Sequence, residues 1–306
     1  MNFAEKLTEL LPHLDLRKKE PMSGHTSLRI GGSAEVMGFP KNTDELSDLL
    51  KAARELSLKP CILGAGTNIL APDEGISNLV ICLKDCLNGM EQMDETHIQA
   101  AAGVTLTRAA MFAAKRSLSG LEFAHGIPGT VGGGVYMNAG AYGGEICRIL
   151  ESAELMDREG NLFTLTGEEM HFSYRNSGIQ VPDGPIVVSA LFALKKGNQE
   201  EIRETMKTLM GRRSASQPLD LPSAGSAFKR PQGGYAAALI DEAGLRGFQV
   251  GQAAVSQKHT GLAVNLGGAT AEDMKGLLKA VSDRVFEKSG IRLEPEIRIL
   301  NREGHL

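Results

Sequence analysis

The stretch GIPGTVGGGVYMNAGAYGG fills residues 126–144. Gly126, Gly129, Gly132, Gly133 and Gly134 crowd around Pro128 and Thr130, and Asn138, Ala139, Gly140 and Ala141 follow. So many residues without bulk point to something large that approaches the backbone closely. A planar ring system laid against the chain is one reading, with Thr130 and exposed N–H groups satisfying a pyrophosphate. Tight packing of a helix on a strand is the other.

Upstream, GAGTN at residues 64–68 follows a short apolar strand, Cys61 to Leu63. Its glycines permit φ > 0 and let amides face an anion. Thr67 and Asn68 add side-chain donors. No GK[ST] ends the segment, so it is not a P-loop. Ile69 and then Pro72 rule out a dinucleotide-binding G-x-G-x-x-G opening a helix. The two segments, roughly 60 residues apart, together suggest one extended cofactor. FAD fits: its diphosphate needs amide donors, and its isoalloxazine needs a flat wall.

The surrounding chain alternates strand and helix. Residues 35–39 read as a strand ended by Pro40. Asn42 and Glu45 have N-cap spacing before Leu46, Leu49, Leu50, Ala53 and Leu56 at helical intervals. Further strands are expected at 79–83 and 97–102, with a helix at 105–117, the grammar of an α/β unit. Residues 151–165 read as a hairpin turning at 158–161, 186–194 as a long strand, and 199–213 as a polar-faced connecting helix. A Ser-, Pro- and Gly-rich loop is expected from Ser214 to Gly234. Helix 235–243, strand 262–265, helix 271–289 and strand 297–300 complete the pattern. Residues 1–16 read as a short amphipathic helix.

Composition narrows the function. Thirty-six of the 306 residues are glycine, about 12% against an average of roughly 7%. Net charge is -4, with no basic stripe for nucleic-acid phosphates. There is no Trp and aromatics make up 5%, which argues against base-stacking platforms. Cys61, Cys82, Cys86 and Cys147 form no C-x-x-C pair, so no metal site is expected, and free thiols suit a reducing compartment. No apolar run reaches the ~18 residues of a membrane span. A cytoplasmic protein is expected, a monomer or weak oligomer, binding neither nucleic acid nor membrane.

Beyond these readings, five ordered motifs resemble those of the UDP-N-acetylenolpyruvoylglucosamine reductases. They are GAGTNIL (64–70), GIPGTVGGGVYMNAGAYGGEI (126–146), FSYRNS (172–177), SAGSAFKRP (223–231) and LEPEIRIL (293–300). The resemblance runs from about His25 to Leu300. It implies an α+β chain: a FAD-binding fold of the vanillyl-alcohol-oxidase type, built of two α/β subdomains, then a C-terminal α/β substrate-binding domain. The implied division is an N-terminal helix (1–22), a FAD domain (23–205, with subdomains of about 23–85 and 86–205), and a substrate domain (206–306) whose last strand carries Glu296.

What the resemblance implies chemically is a two-stage relay. NADPH reduces noncovalent FAD, which delivers hydride to the enolpyruvyl ether of a UDP-sugar, giving UDP-N-acetylmuramate for cell-wall precursor synthesis. Arg175 is the implied cation for the enolate-like charge, and its planar fork suits a carboxylate. Ser226 matches the proton donor. Glu296 matches the third catalytic residue, although alternation alone does not separate it from Glu294. Cofactor contacts are expected from Gly64, Ala65, Gly66, Thr67, Asn68, Ile69, Gly126, Ile127, Pro128, Gly129, Thr130, Gly132, Gly133, Asn138, Ala139, Gly140, Ala141 and Ile186. Substrate contacts are expected from Tyr174, Gln217, Gly225, Lys229, Arg230, Lys258 and His259. His125, Tyr136 and Tyr142 flank the flavin loops as packing residues. Thr67 replaces the Ser common in the family, and Gly134 the common Ala. Residues 194–217 carry no clamp-tyrosine insertion, which marks the shorter subclass. A related flavin oxidase of another alcohol or sugar, or a non-catalytic FAD or UDP-sugar binder, are the competing readings.

Overall fold

A computed structural model describes residues 2–306. The chain forms two compact units, each with its own core. The first is Met1–Lys18, Val36–Ala65 and Leu79–Arg213; the second is Lys19–Glu35, Gly66–Asn78 and Ser214–Leu306. The boundary at 213/214 lies at the C-terminal end of the connecting helix. The linear division expected from sequence differs from these units, because 19–35 and 66–78 contribute Leu28, Ile30 and Leu70 to the second core.

In the first unit, Cys61–Leu63 pairs in parallel with the later half of Ile76–Cys82. Helix Thr43–Glu55 begins where the Asn42 side chain accepts the Glu45 N–H at 2.9 Å. It buries Leu46, Leu49, Leu50 and Ala53, the stripe its periodicity dictates. The N-terminal helix is shorter than expected, Phe3–Leu10, and strand Leu16–Pro21 follows it.

The rest of this unit is a five-stranded antiparallel sheet. Its order is Leu162–Thr166, Leu150–Met156, Ile186–Ala193, His97–Ala101, Met90–Gln92. Ala153, Leu155, Val188, Ala190, Phe192, Ile98 and Ala100 are buried, forming the core face. The opposite face carries polar groups: Gln99 Nε2 donates to Ser189 Oγ at 2.9 Å. Helices Leu106–Ala114 and Val131–Tyr136 contribute Leu106, Ala109, Ala110, Val131 and Val135 to the same core. The connecting helix Gln199–Ser216 buries only Ile202, Met206 and Arg213.

The second unit holds a four-stranded antiparallel sheet, Ser223–Ser226, Leu262–Asn265, Ala253–Val255, Gln249–Val250. Two of these strands were not foreseen, and a third, Ser223–Ser226, falls where a loop was expected. All are four residues or fewer, too short for period-2 alternation to stand out. Helices Ala236–Glu242 and Ala271–Ser289 supply Ile240, Met274, Leu277, Leu278 and Val281 to this core. Thr270 and Asp273 form a capping box, and Asp73 accepts the Ala271 N–H at 2.7 Å. Arg298–Ile299 pairs in parallel with Ile69–Leu70.

Candidate active site

The two glycine segments meet inside the first unit. A Cβ placed on Gly64 would lie 2.6 Å from Thr130 Oγ1, so the strand end at 63–65 and the turn at 129–131 touch backbone to side chain. Thr130 is 1% exposed and caps the helix Val131–Tyr136, its hydroxyl accepting the Gly133 N–H at 3.3 Å. Leu106 donates to Gly129 O, and Val131 to Val104 O.

The glycines divide by task. A Cβ on Gly132 would stand 2.8 Å from Ala102 Cβ, and one on Gly134 3.1 Å from the Leu106 side chain; these two serve close packing. At Gly133 nothing but Thr130 Oγ1, at 3.5 Å, lies within 4 Å, so its face is open. Gly126 (φ 86°) and Gly129 (φ 147°) take backbone conformations closed to most side chains. Two glycines in such conformations beside an open third fit the flat wall and amide donors that FAD requires.

GAGTN is also where the chain passes from one unit to the other, between Ala65 and Gly66. Gly66 has φ 59°, and a Cβ there would be 2.1 Å from His25 O. Asn68 O accepts the Arg298 N–H at 3.0 Å, and Ile69 pairs with Arg298. Ile186 is buried at the start of its strand opposite Met156. The Asn138 amide, 3% exposed, donates to Ser173 O at 3.1 Å and accepts the Cys147 N–H at 3.0 Å. It fastens the glycine loop to the FSYRNS turn.

That turn carries Arg175. Ser173 and Asn176 exchange backbone hydrogen bonds across it. Ser177 Oγ and Gln180 Nε2 both donate to Tyr136 O, at 2.7 and 2.6 Å. Arg175 is held at φ 56°, a left-handed conformation that residues other than glycine adopt uncommonly. Its Nη1 donates to Gly140 O at 3.4 Å, and the exposed Tyr174 ring lies 5.2 Å from the guanidinium.

In the second unit, Ser226 ends its strand opposite Leu262, after an irregularity at Gly225 (φ 73°), and its side chain is exposed. Glu296 N donates to Ala227 O at 2.9 Å, so Glu296 lies beside the residue that follows Ser226. Glu294 is tied to Lys229 in an exposed ion pair. Glu294 and Glu296 lie outside the named strands but flank an isolated antiparallel bridge of Pro295 with Phe228, so their neighbours, Lys229 for Glu294 and Ala227 for Glu296, distinguish them where alternation does not. Arg230 stacks 4.2 Å from the Tyr235 ring. Lys258 Nζ donates to Ser214 O at 2.6 Å. His259 Nδ1 accepts the Gly261 N–H at 3.1 Å, and burial lowers its pKa. Gln217 follows the connecting helix directly.

One residue was missed. Arg213 is 8% exposed on the buried stripe of its helix. A Cβ on Gly126 would be 3.4 Å from its Nε, and its guanidinium lies 5.7 Å from the Tyr142 ring. The signal was available: an arginine three turns from Ile202, on the face that Met206 shares. Next to Gly126, the His125 Nδ1 is buried with no hydrogen-bond partner among the described residues, and burial lowers that ring's pKa. The cysteines are free, and burial pushes Cys61 up to about 12 and Cys86 up to about 11. Among the described residues no cluster suits a metal ion, and no helix is long and apolar enough to cross a membrane.

Comparison with known proteins gives consistent matches. The family model for an FAD binding domain matches residues 34–166. The model for the C-terminal domain of UDP-N-acetylenolpyruvoylglucosamine reductase matches residues 217–300. Proteins of that reductase name from Streptococcus pneumoniae strains JJA and Hungary19A-6 are 44% and 43% identical over 300 residues, 98% of this chain and 99% of the JJA protein. The crystal structure of the reductase from Thermus caldophilus is similar at TM-score 0.78 and 35% identity, covering 94% of this chain and 98% of its own.

Proposed function

The chain belongs to the UDP-N-acetylenolpyruvoylglucosamine reductase family, and we propose how its own residues carry the reaction. It is an FAD-dependent oxidoreductase of peptidoglycan precursor synthesis. The substrate is UDP-N-acetylglucosamine enolpyruvate, the electron donor NADPH, and the compartment the cytoplasm. When bound, FAD supplies hydride to the terminal methylene carbon of the enolpyruvyl group.

Gly64, Gly126, Gly129, Thr130 and Gly133 are the residues that would hold the cofactor, with the open face of Gly133 toward it and Arg213 supplying positive charge beside Gly126. The work of the remaining groups follows from charge. Hydride addition to an α,β-unsaturated carboxylate leaves an enolate-like anion. The Arg175 guanidinium stabilises that anion through a planar pair of N–H donors, fixed in advance by the FSYRNS turn. The Ser226 hydroxyl then gives its proton to the carbon bearing the ether oxygen; a serine is a weak acid, but a carbanion-like enolate is a strong enough base to take it. Glu296, carried next to Ala227, orients the substrate at Ser226. Lys229, Arg230, Lys258 and His259 supply the polar surface for the UDP diphosphate.

The observation that carries this reading is the pairing of Glu296 N with Ala227 O. It supports the reading by bringing the backbone of the segment that carries Glu296 alongside the backbone just after Ser226, both within the segment matched by the reductase's own C-terminal domain. The test is anaerobic. NADPH should bleach the flavin of the purified protein, and the enolpyruvyl substrate should restore its colour. In Ser226→Ala, bleaching should persist while reoxidation slows by about 10²- to 10⁴-fold. Unchanged reoxidation would remove Ser226 from the mechanism.

A further inference from the structure

We propose that the strand Leu162–Thr166 is an interface on which a second copy of this chain pairs edge to edge, antiparallel about Thr164, extending the five-stranded sheet across a twofold axis. The strand lies at the edge of that sheet, with Leu150–Met156 its only neighbour in it. Gly167 N donates to Glu151 O, and Asp157 N to Asn161 O. The odd-numbered residues therefore bond inward, and Leu162, Thr164 and Thr166 turn their N–H and C=O groups outward. The Thr166 N–H is held by the Glu169 carboxylate at 2.8 Å; the outward groups of Leu162 and Thr164 face solvent.

Edges of this kind are normally guarded by charge, proline or brevity. Other edges of this protein are. Met90–Gln92 is three residues long with a glutamate at its centre, and Leu16–Pro21 reads LRKKEP. The sequence LFTLT has none of these guards, and its large side chains are open: Leu162 is 47% exposed and Phe163 38%.

The occupant follows from self-complementarity. Turned antiparallel about Thr164, the strand sets Leu162 opposite Thr166 of the other copy, and Phe163 opposite Leu165. The second pairing joins two apolar residues, twice over by symmetry, on the face that Leu155 and Ala153 already bury. About four new backbone hydrogen bonds form, given that Thr166 N–H is taken. Charge agrees. The same register sets Gly160 opposite the exposed Glu168, and the exposed Lys51 lies against Gly160, its Cε 3.3 Å from where a Cβ there would be. Each copy thus presents a lysine to the other's acidic end. A ladder this short gives a weak, concentration-dependent dimer.

The test is sedimentation velocity on the FAD-loaded full chain from about 1 μM to about 300 μM. The weight-average mass should climb toward twice the monomer. Thr164→Lys puts two ammonium groups at the twofold and should raise the midpoint at least about tenfold, at unchanged melting temperature. Lys51→Glu should also raise it, and Lys51→Glu with Glu168→Lys should bring it back. Hydrogen exchange of the unaltered protein decides the matter even if a variant fails to fold: amides of 161–168 should exchange more slowly at high concentration. A monomer throughout, a dimer indifferent to Thr164→Lys, or exchange in 161–168 independent of concentration would each overturn the interface.

Discussion

Arg175 pairs a left-handed backbone with a side chain that reaches the glycine loop, and the two facts make one prediction. Lysine keeps the charge but loses the planar fork, so Arg175→Lys should lower kcat by about tenfold or more while KM changes little. Steady-state kinetics with the enolpyruvyl substrate decide it; an intact kcat would refute the assignment. His259 gives a second prediction, in pH. Burial depresses its folded pKa from the ordinary 6.5, so the folded state binds fewer protons than the unfolded chain. Stability is full above about 6.5 and is lost as pH falls through the lowered folded value. Neutral His259 also accepts the Gly261 N–H, which protonation forbids. His259→Gln should flatten the decline of melting temperature between about pH 6.5 and 5; a slope equal to that of the unaltered protein would dismiss the role. At this scale the motifs nominate candidates, Ser226 and Arg175, whose roles the kinetic tests decide. The sequence was poor where a residue's work depends on distant partners: nothing local to Asn138 says that its amide clamps Ser173 and Cys147.

Among the elements, the glycine-rich turn and its helix hold glycines in close packing beside one with an open face. Gly132→Ala drives a methyl into Ala102 Cβ and should destabilise by about 1–3 kcal/mol, read as a lower melting temperature of the apoprotein. Gly133→Ala meets only Thr130 Oγ1 at 3.5 Å and should leave that melting temperature unchanged or slightly raised, yet weaken FAD uptake in a titration of the apoprotein. Equal behaviour of the two variants would contradict the division. Of the two readings offered by the sequence, close packing holds at Gly132 and Gly134, and the cofactor wall is the role proposed for Gly133. Composition cannot assign them, because the neighbours that decide, Ala102 and Leu106, come from a strand end and another helix. The longer elements were legible for a simpler reason: Thr43–Glu55, Leu106–Ala114, Ile186–Ala193 and Ala271–Ser289 are long enough to display their period.

The whole molecule resists a linear description. Both cores recruit from distant segments, and the second draws Leu28, Ile30 and Leu70 from the N-terminal quarter. Ser27 Oγ donates to Ser223 O at 2.6 Å, and Asn265 Nδ2 to Leu28 O at 2.9 Å. A fragment of residues 206–306, the linear domain expected from sequence, would lack these parts. It should show no cooperative thermal transition by circular dichroism, whereas a fused chain that restores 19–35 and 66–78 should regain one. A cooperative melt of the bare fragment would show those parts to be dispensable. The same interleaving has a consequence during synthesis. Leu28, Ile30 and Leu70 leave the ribosome more than 200 residues before Leu293 and Ile297, which complete their core. The nascent chain must carry those apolar side chains uncovered while that long stretch is made, which makes the early segments natural clients for a chaperone that shields hydrophobic stretches until their partners emerge.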